Sequence, residues 1–383
     1  EFSQRKAIEL NPDFAQAHSN LGNILRDLGK SKDAESSYRK AIELNPDFSQ
    51  AHSNLGNILR DLGKPQEAEK SHRKAIELNP HIAETHNNLG NVLKDLGKLQ
   101  EAELSQRKAI ELNPHSAQAY SNLGIILKDL SNLQGAELSL RKAIELNPNL
   151  AEAHYNLGKL LNDIGNFSEA INHFKQALKL NNQLSVAKSE LIQIKGSICD
   201  WSDEENHHIW LKSLGIKGTA ICPFGLFPYE DNPLNHLKRS KRFYQDKYIR
   251  PNKHIKSSKK NIIHIGYFSA DFRTHAVMQQ IAPLFELHDK SRFKIYLYSF
   301  VPKEDEYTER AKKSGCIFRN IKKLNDIEAV ELARSDKLDI AVDLMGYTTH
   351  NRMRIFSHRV APIQINYLGF LGSVGSDTID YII

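Results

Sequence analysis

Lys40-Ala41-Ile42-Glu43-Leu44-Asn45-Pro46 decides the fold, because the same seven residues begin again at Lys6, Lys74, Lys108 and Lys142, each 34 residues from the next. A sixth, decayed copy reads Gln176-Ala177-Leu178-Lys179-Leu180-Asn181-Asn182, with Asn182 where proline should stand. A second string, Asn-Leu-Gly, recurs at Asn20, Asn54, Asn88, Asn122 and Asn156, again 34 apart. A fixed period of this length predicts stacked helical units whose core runs from one unit to the next.

The pattern matches the tetratricopeptide repeat. With 15–48 taken as one repeat, Leu21 and Gly22 fall in its first helix and Ala34, Tyr38 and Ala41 in its second. Gly22 and Ala34 are small where the two helices must approach closely. Pro46 closes the unit, since it lacks the N–H a helix needs and drives Asn45 out of helical geometry. The array is then a half repeat, 1–14, followed by 15–48, 49–82, 83–116, 117–150 and 151–184, all within a first domain of 1–184. Its first residues, Glu1-Phe2-Ser3-Gln4-Arg5, read as an entry into the middle of a helix, with no signal-peptide pattern.

In the first helix, His18, Leu21, Leu25 and Leu28 are spaced as a buried stripe. Asn20, Asn23 and Asp27 mark another face, and the same face returns as Asn54, Asn57 and Asp61. Asn20, Asn54, Asn88, Asn122 and Asn156 would form a ladder of amides along a groove. An amide donates and accepts, so a row of them suits the backbone of an extended peptide. Asparagine is a poor helix former, which makes mere tolerance the weaker explanation for five copies. The histidines at repeat position four (His18, His52, His86, His154) read as packing residues, because no carboxylate pairs with them in a metal-ligand spacing.

The chain has 383 residues, 40% of them hydrophobic and 26% charged. No stretch approaches 18 consecutive apolar residues, which argues against a membrane-spanning helix. Cys199, Cys222 and Cys316 form no C-x-x-C pair, so a disulfide framework or zinc knuckle is not expected, and a reducing cytoplasm is the default. Between His236 and Asn261 the chain carries ten Lys/Arg against Asp246, so this one segment accounts for more than the whole net charge of +6. It reads first as a solvated linker before a new domain. Without an aromatic platform or helix-turn-helix pattern, it is poor ground for nucleic-acid binding.

Ser185–Ile194 resembles a helix that caps the array, and 185–260 is a connecting region. From 261 the pattern changes to strands (Ile262–Phe268, Phe293–Phe300, Cys316–Ile321, Leu338–Leu344, Pro362–Leu368) alternating with helices (about 277–288, 305–314, 326–336 and 351–359). Five strands with intervening helices predict right-handed crossovers and a parallel, Rossmann-like sheet over 261–383. Polar or glycine-rich loops follow three strands: Ser269–His275, Gly346-Tyr347-Thr348, and Gly369 through Gly372 to Gly375. Ligands bind at the carboxyl ends of strands in such sheets. The glycines would let backbone amides come close to a sugar or phosphate. No Walker A, H-E-x-x-H or D-x-D string occurs, so no metal site is expected.

Asparagine-bearing repeats followed by these loops resemble the O-GlcNAc transferase/SPINDLY family of repeat-containing protein O-glycosyltransferases, glycosyltransferase family 41. Beyond the repeats the resemblance rests on Cys199-Asp200-Trp201, Ile265-Gly266-Tyr267-Phe268-Ser269-Ala270-Asp271-Phe272 with His275, and Gly346-Tyr347-Thr348. It rests further on Arg352, Ala361-Pro362-Ile363-Gln364, Leu368-Gly369 and Asp380-Tyr381. It implies an α-solenoid followed by the N-terminal, Rossmann-like lobe of a two-lobed, metal-independent GT-B enzyme. That enzyme would transfer N-acetylglucosamine from UDP-GlcNAc to Ser/Thr of proteins held by the repeats, with no cofactor. His275 matches the family's active-site histidine, either a base or a donor-sugar contact, and imidazole's ordinary pKa suits both. Asp271, Tyr347, Thr348, Arg352, Gly369, Gly372 and Gly375 fall on its donor and acceptor loops. Leu371 and Gln279 depart from the pattern, where a proline and a second histidine are expected. The family's second lobe, with most nucleotide contacts and a lysine, would lie beyond Ile383, so on this reading the donor site is half built and this chain binds polypeptide without transferring sugar. A SPINDLY-type O-fucosyltransferase using GDP-fucose, or a non-catalytic peptide-binding scaffold, are the alternatives.

Overall fold

The computed structural model describes residues 1–248, 255, 261–370 and 372–383. It divides into two compact units, Glu1–Asn182 and Gln183–Ile383.

The first unit is an α-solenoid. After α1 (Phe2–Leu10) come five helical hairpins: α2 and α3 (Ala15–Asp27, Ser31–Leu44), α4 and α5 (Ser49–Asp61, Pro65–Leu78), α6 and α7 (Ala83–Asp95, Leu99–Leu112), α8 and α9 (Ala117–Asp129, Leu133–Leu146), and α10 and α11 (Ala151–Asp163, Phe167–Leu180). A Cβ on Gly22 would sit 2.6 Å from the Tyr38 ring. Gly56, Gly90, Gly124 and Gly158 face His72, Gln106, Leu140 and Phe174 in the same way. Each glycine is therefore the socket for one side chain of its partner helix.

Asn45 leaves the helix in extended geometry, and its side chain accepts the Asp47 N–H at 3.2 Å. Asn11, Asn79, Asn113 and Asn147 make the same turn, which explains the Asn-Pro pair in each copy. The position-four histidines close this turn from the other side. His18, His52, His86 and His154 each place Nε2 2.9–3.0 Å from the carbonyl of the proline six residues earlier. The expected stripe needs one correction. Ala17, Leu21 and Leu25 are buried, but Leu28 is 55% exposed, because it caps the helix where the chain turns at Gly29.

Ion pairs join successive repeats on the second helices. Arg39 holds Glu35 and reaches Glu67, and Lys64 returns to Glu35. Arg73, Glu69, Glu101 and Lys98 repeat the arrangement. At the α7–α9 joint the sequence places Gly135 and Asn132 where the acid and the lysine belong. Among the described residues Arg107 then pairs only with Glu103 of its own helix. The bridge returns from Arg141 to Glu169.

The second unit begins with α12 (Ser185–Ser197) and α13 (Glu204–Leu211), a 3-10 turn over Phe224–Tyr229, and α14 (Pro233–Lys247). Ile192 packs with Leu211, Leu214, Ile221 and Leu226 inside this unit. The segment read as a solvated linker is in part a structured helix. Arg239 is fully buried, ion-paired to Glu230 at 3.0 Å and donating to the Leu211 and Leu214 carbonyls. Lys238, Lys241, Arg242 and Lys247 lie exposed on α14, while the remaining five cations of that segment lie outside the described residues.

The Rossmann-like lobe follows. Its strands are β1 (Ile263–Ser269), β2 (Phe293–Ser299), β3 (Ile317–Asn320), β4 (Ile340–Asp343), β5 (Ile363–Asn366) and β6 (Tyr381–Ile382). Its helices are α15 (Ala276–Leu287), α16 (Glu306–Lys313), α17 (Asp326–Ser335) and α18 (Met353–Ser357). All neighbouring strands are parallel, in the order β3-β2-β1-β4-β5-β6. The short β6 adds an edge strand to the five expected. Alternate residues of β1 and β2 feed two cores: Ile265, Tyr267, Ile295 and Leu297 on one face, and Phe268, Tyr296 and Tyr298 on the other. A sheet covered on both faces leaves its strand ends as the place for chemistry.

Candidate functional site at the strand ends

Sheet order reverses at β1, with β2 on one side and β4 on the other. The loops after β1, β4 and β5 therefore crowd one edge at a switch point, where open α/β sheets form their crevice.

His275 caps α15, its Nδ1 accepting the Val277 N–H at 3.3 Å. The same Nδ1 faces the Asp271 carboxylate at 3.5 Å, and the Asp271 side chain is 10% exposed against 40% for His275. Arg273 approaches the other Asp271 oxygen at 3.6 Å. Two partners thus compete for Nδ1. A neutral ring with Nδ1 bare accepts from Val277, and a ring protonated there pairs with Asp271. Nε2 has no partner among the described residues and is the nitrogen left for a ligand.

The loop that presents this pair is pinned along its length. The Asp271 N–H donates to Ser269 Oγ at 2.9 Å, the Thr274 N–H to Asp305 Oδ2 at 2.6 Å, and Thr308 Oγ1 to the Phe272 carbonyl at 2.7 Å. Burial pushes the Asp305 carboxyl up, but amide hydrogen bonds from Thr274, Thr308 and Tyr307 outweigh it and hold the group below the usual carboxylate range.

The β4 loop is held by a residue that sequence reasoning missed. Asp343 is 3% exposed and accepts the Met345 and Gly346 N–H groups at 3.0 and 2.9 Å, while Asn366 Nδ2 of β5 donates to it at 2.9 Å. Burial raises its carboxyl to about 6 against the pull of those three bonds. Its place two residues before Met345, at a strand end, is the signal that could have found it, because Asp favours such self-capped turns.

Several expected ligand residues turn inward. Tyr347 is 3% exposed, donates its hydroxyl to the Val374 carbonyl at 2.5 Å, and packs edge-on against Phe243 and Phe370. Arg352 reaches Asp326 at 2.7 Å and donates to the Ile321 and Leu324 carbonyls, which staples the start of α18 to the segment leading from β3 into α17. Thr348 returns its hydroxyl to the Met345 carbonyl. The glycines are packed closely against the chain itself. A Cβ on Gly369 would lie 1.7 Å from the Leu344 oxygen, one on Gly372 2.2 Å from Phe227, and one on Gly375 2.3 Å from the Lys241 nitrogen. Gln364 and Asp380 also bind inside the lobe, to Phe356 and to Arg359. Asp200 clasps the buried Lys195 at 3.0 Å, and hydrogen bonds from Ser202 together with that ammonium hold its carboxyl far below the usual range.

In the array the amides are more engaged than an open ladder requires. Asn54 and Asn122 are 6% and 8% exposed, and they donate to Asn23 and Asn87 of the preceding repeat at 3.0 and 2.8 Å. Their oxygens accept from Gln50 and Gln118. Asn20, Asn88 and Asn156 are half-buried. The amides thus tie repeats together, with only part of their surface toward solvent.

Residues 236–383 match the family model described as glycosyl transferase family 41, and tetratricopeptide models match 15–48, 47–114, 126–162 and 151–183. The chain thus joins an array that matches tetratricopeptide repeats to a segment that matches glycosyl transferase family 41. It is 39% identical over 121 residues to the probable UDP-N-acetylglucosamine–peptide N-acetylglucosaminyltransferase SPINDLY of Oryza sativa subsp. japonica, a match covering 30% of this chain and 13% of the relative. It is 32% identical over 123 residues to the UDP-N-acetylglucosamine–peptide N-acetylglucosaminyltransferase of Caenorhabditis elegans, covering 32% of this chain and 11% of that one. These matches thus span about an eighth of the curated relatives' length. A solved mutant O-GlcNAc transferase from Thermobaculum terrenum superimposes with a TM-score of 0.44 at 24% identity, covering 78% of this chain and 53% of the other. Among the described residues no helix is long and apolar enough to cross a membrane.

Proposed function

We propose that this chain is the polypeptide-holding array of a protein O-glycosyltransferase working in the cytoplasm, together with the lobe that forms half of its nucleotide-sugar transfer site. The observation that carries the reading is the Asp271–His275 pair, standing at the switch point of a lobe that matches family 41. In the reaction a Ser or Thr hydroxyl oxygen attacks the anomeric carbon of a nucleotide-sugar. The bond to the nucleoside diphosphate breaks, and the diphosphate leaves with the bonding pair. The hydroxyl proton passes to a base, and Nε2 of His275, without a partner among the described residues, supports that role or a hydrogen bond to the donor sugar. Asp271 stabilises the imidazolium that proton uptake creates. No metal or cofactor enters the scheme, and the half-buried faces of Asn20, Asn88 and Asn156 contact the acceptor backbone.

The donor is UDP-GlcNAc, the sugar nucleotide in the relatives' names, and GDP-fucose is the alternative. Ligand-observed NMR on the full chain tests the reading. UDP-GlcNAc should show saturation transfer that weakens about tenfold in His275→Ala, as loss of one hydrogen-bonding partner predicts. No saturation of UDP-GlcNAc or GDP-fucose by the wild type would sink it, and binding unchanged in the variant would leave His275 the role of base alone. A stronger signal from GDP-fucose would reassign the donor.

A further inference from the structure

At the edge of the sheet opposite His275, where β1, β2 and β3 begin, a hollow of about 280 Å³ lies among Phe285, His288, Lys290, Phe293, Ile295 and Cys316. Phe285 is fully buried and Ile295 is 5% exposed, so the floor is apolar. Helix α15 starts beside His275 and ends at Leu287, which puts this hollow about 18 Å away, at the helix's other end. It is not part of the candidate transfer site.

The charge around it is one-sided. The Lys290 ammonium arches over Gly315, close enough that a Cβ there would be 2.4 Å from Nζ. Among the described residues Lys290 has no acid partner, and the acids nearest in sequence are engaged elsewhere. Glu286 is held by Arg310 at 2.7 Å, and Asp289 accepts from Ser291. Two further cations stand nearby: Lys294, which also lines the hollow and lies over the Tyr296 ring at 5.6 Å, and Arg292, which lies over the Phe293 ring at 5.3 Å. His288 keeps Nε2 3.1 Å from the Tyr267 hydroxyl, and burial lowers its pKa, so it brings a polar edge without charge near neutral pH.

An apolar floor beneath an unpaired ammonium describes an amphiphilic ligand with the opposite charge. We propose that this hollow binds a small organic anion, a carboxylate on an aromatic body, with the carboxylate at Lys290 and the body against Phe293 and Ile262. Its volume lies at the small end of ligand pockets, which suits one ring or two fused rings. The Cys316 thiol, raised by burial and donating to the Phe285 carbonyl, lies under the ligand's body and reports on occupancy.

The test is alkylation of Cys316 by N-ethylmaleimide on the full chain, followed by peptide mass spectrometry, with the exposed Cys199 as internal control. The probe is 2-naphthoate and its neutral isostere is 2-naphthamide. Naphthoate should slow labelling of Cys316 and leave Cys199 unaffected, and naphthamide should protect about tenfold more weakly, the worth of one charge-assisted contact. Lys290→Gln, a change at a solvent-facing side chain, should bring naphthoate down to the level of the amide. Equal protection by acid and amide, protection indifferent to Lys290→Gln, or no protection at millimolar naphthoate would each overturn the proposal.

Discussion

Asn54 reaches Asn23 and Asn122 reaches Asn87 in the array, while in the lobe Asp343 alone gathers Met345, Gly346 and Asn366. The first arrangement is written several times at a 34-residue interval. The second is written once. A solenoid repeat contacts only its neighbours, so a lost amide bond weakens one joint. Two loops at a sheet edge share one carboxylate, so its loss frees both. The lobe therefore concentrates the consequences of substitution, and the array disperses them. Both tryptophans, Trp201 and Trp210, lie in the second unit, so their fluorescence follows that unit alone, while far-UV helicity is weighted toward the array.

The largest effect belongs to Gly369→Ala. The added methyl lands on the backbone oxygen of Leu344, which cannot rotate away, and the lobe should lose about 4 kcal/mol or more. Urea unfolding followed by tryptophan fluorescence measures it. Next comes Asp343, whose carboxyl titrates near 6 in the folded lobe and lower when unfolded. Between pH 4 and 6 the unfolded chain gives up this proton first, so the group's contribution falls as pH rises through that window. Relative to Asp343→Asn, the native lobe should lose about 3 kcal/mol from pH 3 to pH 8.

The array supplies the opposite sign. His72 is fully buried with both ring nitrogens unpartnered, and burial, with Arg60 nearby, lowers its pKa to about 4. Folded His72 stays neutral where the unfolded residue charges, so stability is lost as pH falls from 6.5 toward 4. His72→Leu places there the residue that Leu140 provides two repeats later. It should flatten the acid limb by about 2 kcal/mol, less than the lobe's shift because the array can open one repeat at a time. The smallest effect is a gain. Asn132→Lys with Gly135→Glu should restore the missing bridges at the α7–α9 joint and add about 0.5–1 kcal/mol to the thermal stability of the helical signal. Gly135→Ala is the control that separates the pairing from the removal of a helical glycine.

The sequence made most of this legible where the signal is local or periodic. The register of the repeats, the strands of the lobe to within two or three residues, and the crowding of three loops at one sheet edge all follow from spacing. Pairings between distant residues did not. Nothing near Arg352 announces Asp326, and nothing in α14 marks Arg239 as the cation that would be buried on Glu230. The glycines at 369, 372 and 375 read as backbone that a ligand could approach, and nothing in their spacing announces the close contacts with Leu344, Phe227 and Lys241. The periodicity of the asparagines is plain in the sequence, but not that Asn54 and Asn122 turn their donors to the neighbouring repeat.

The division of labour between the two regions is tested most directly by titrating the full chain, by calorimetry, with UDP-GlcNAc and separately with an unstructured Ser/Thr-rich polypeptide. Wild type, His275→Ala and the triple variant Asn20→Ala/Asn88→Ala/Asn156→Ala are compared. The account predicts that His275→Ala weakens the nucleotide-sugar alone and the triple variant weakens the polypeptide alone. Nucleotide-sugar binding that falls with the asparagines and not with His275, or polypeptide binding that falls with His275 and not with the asparagines, would contradict it.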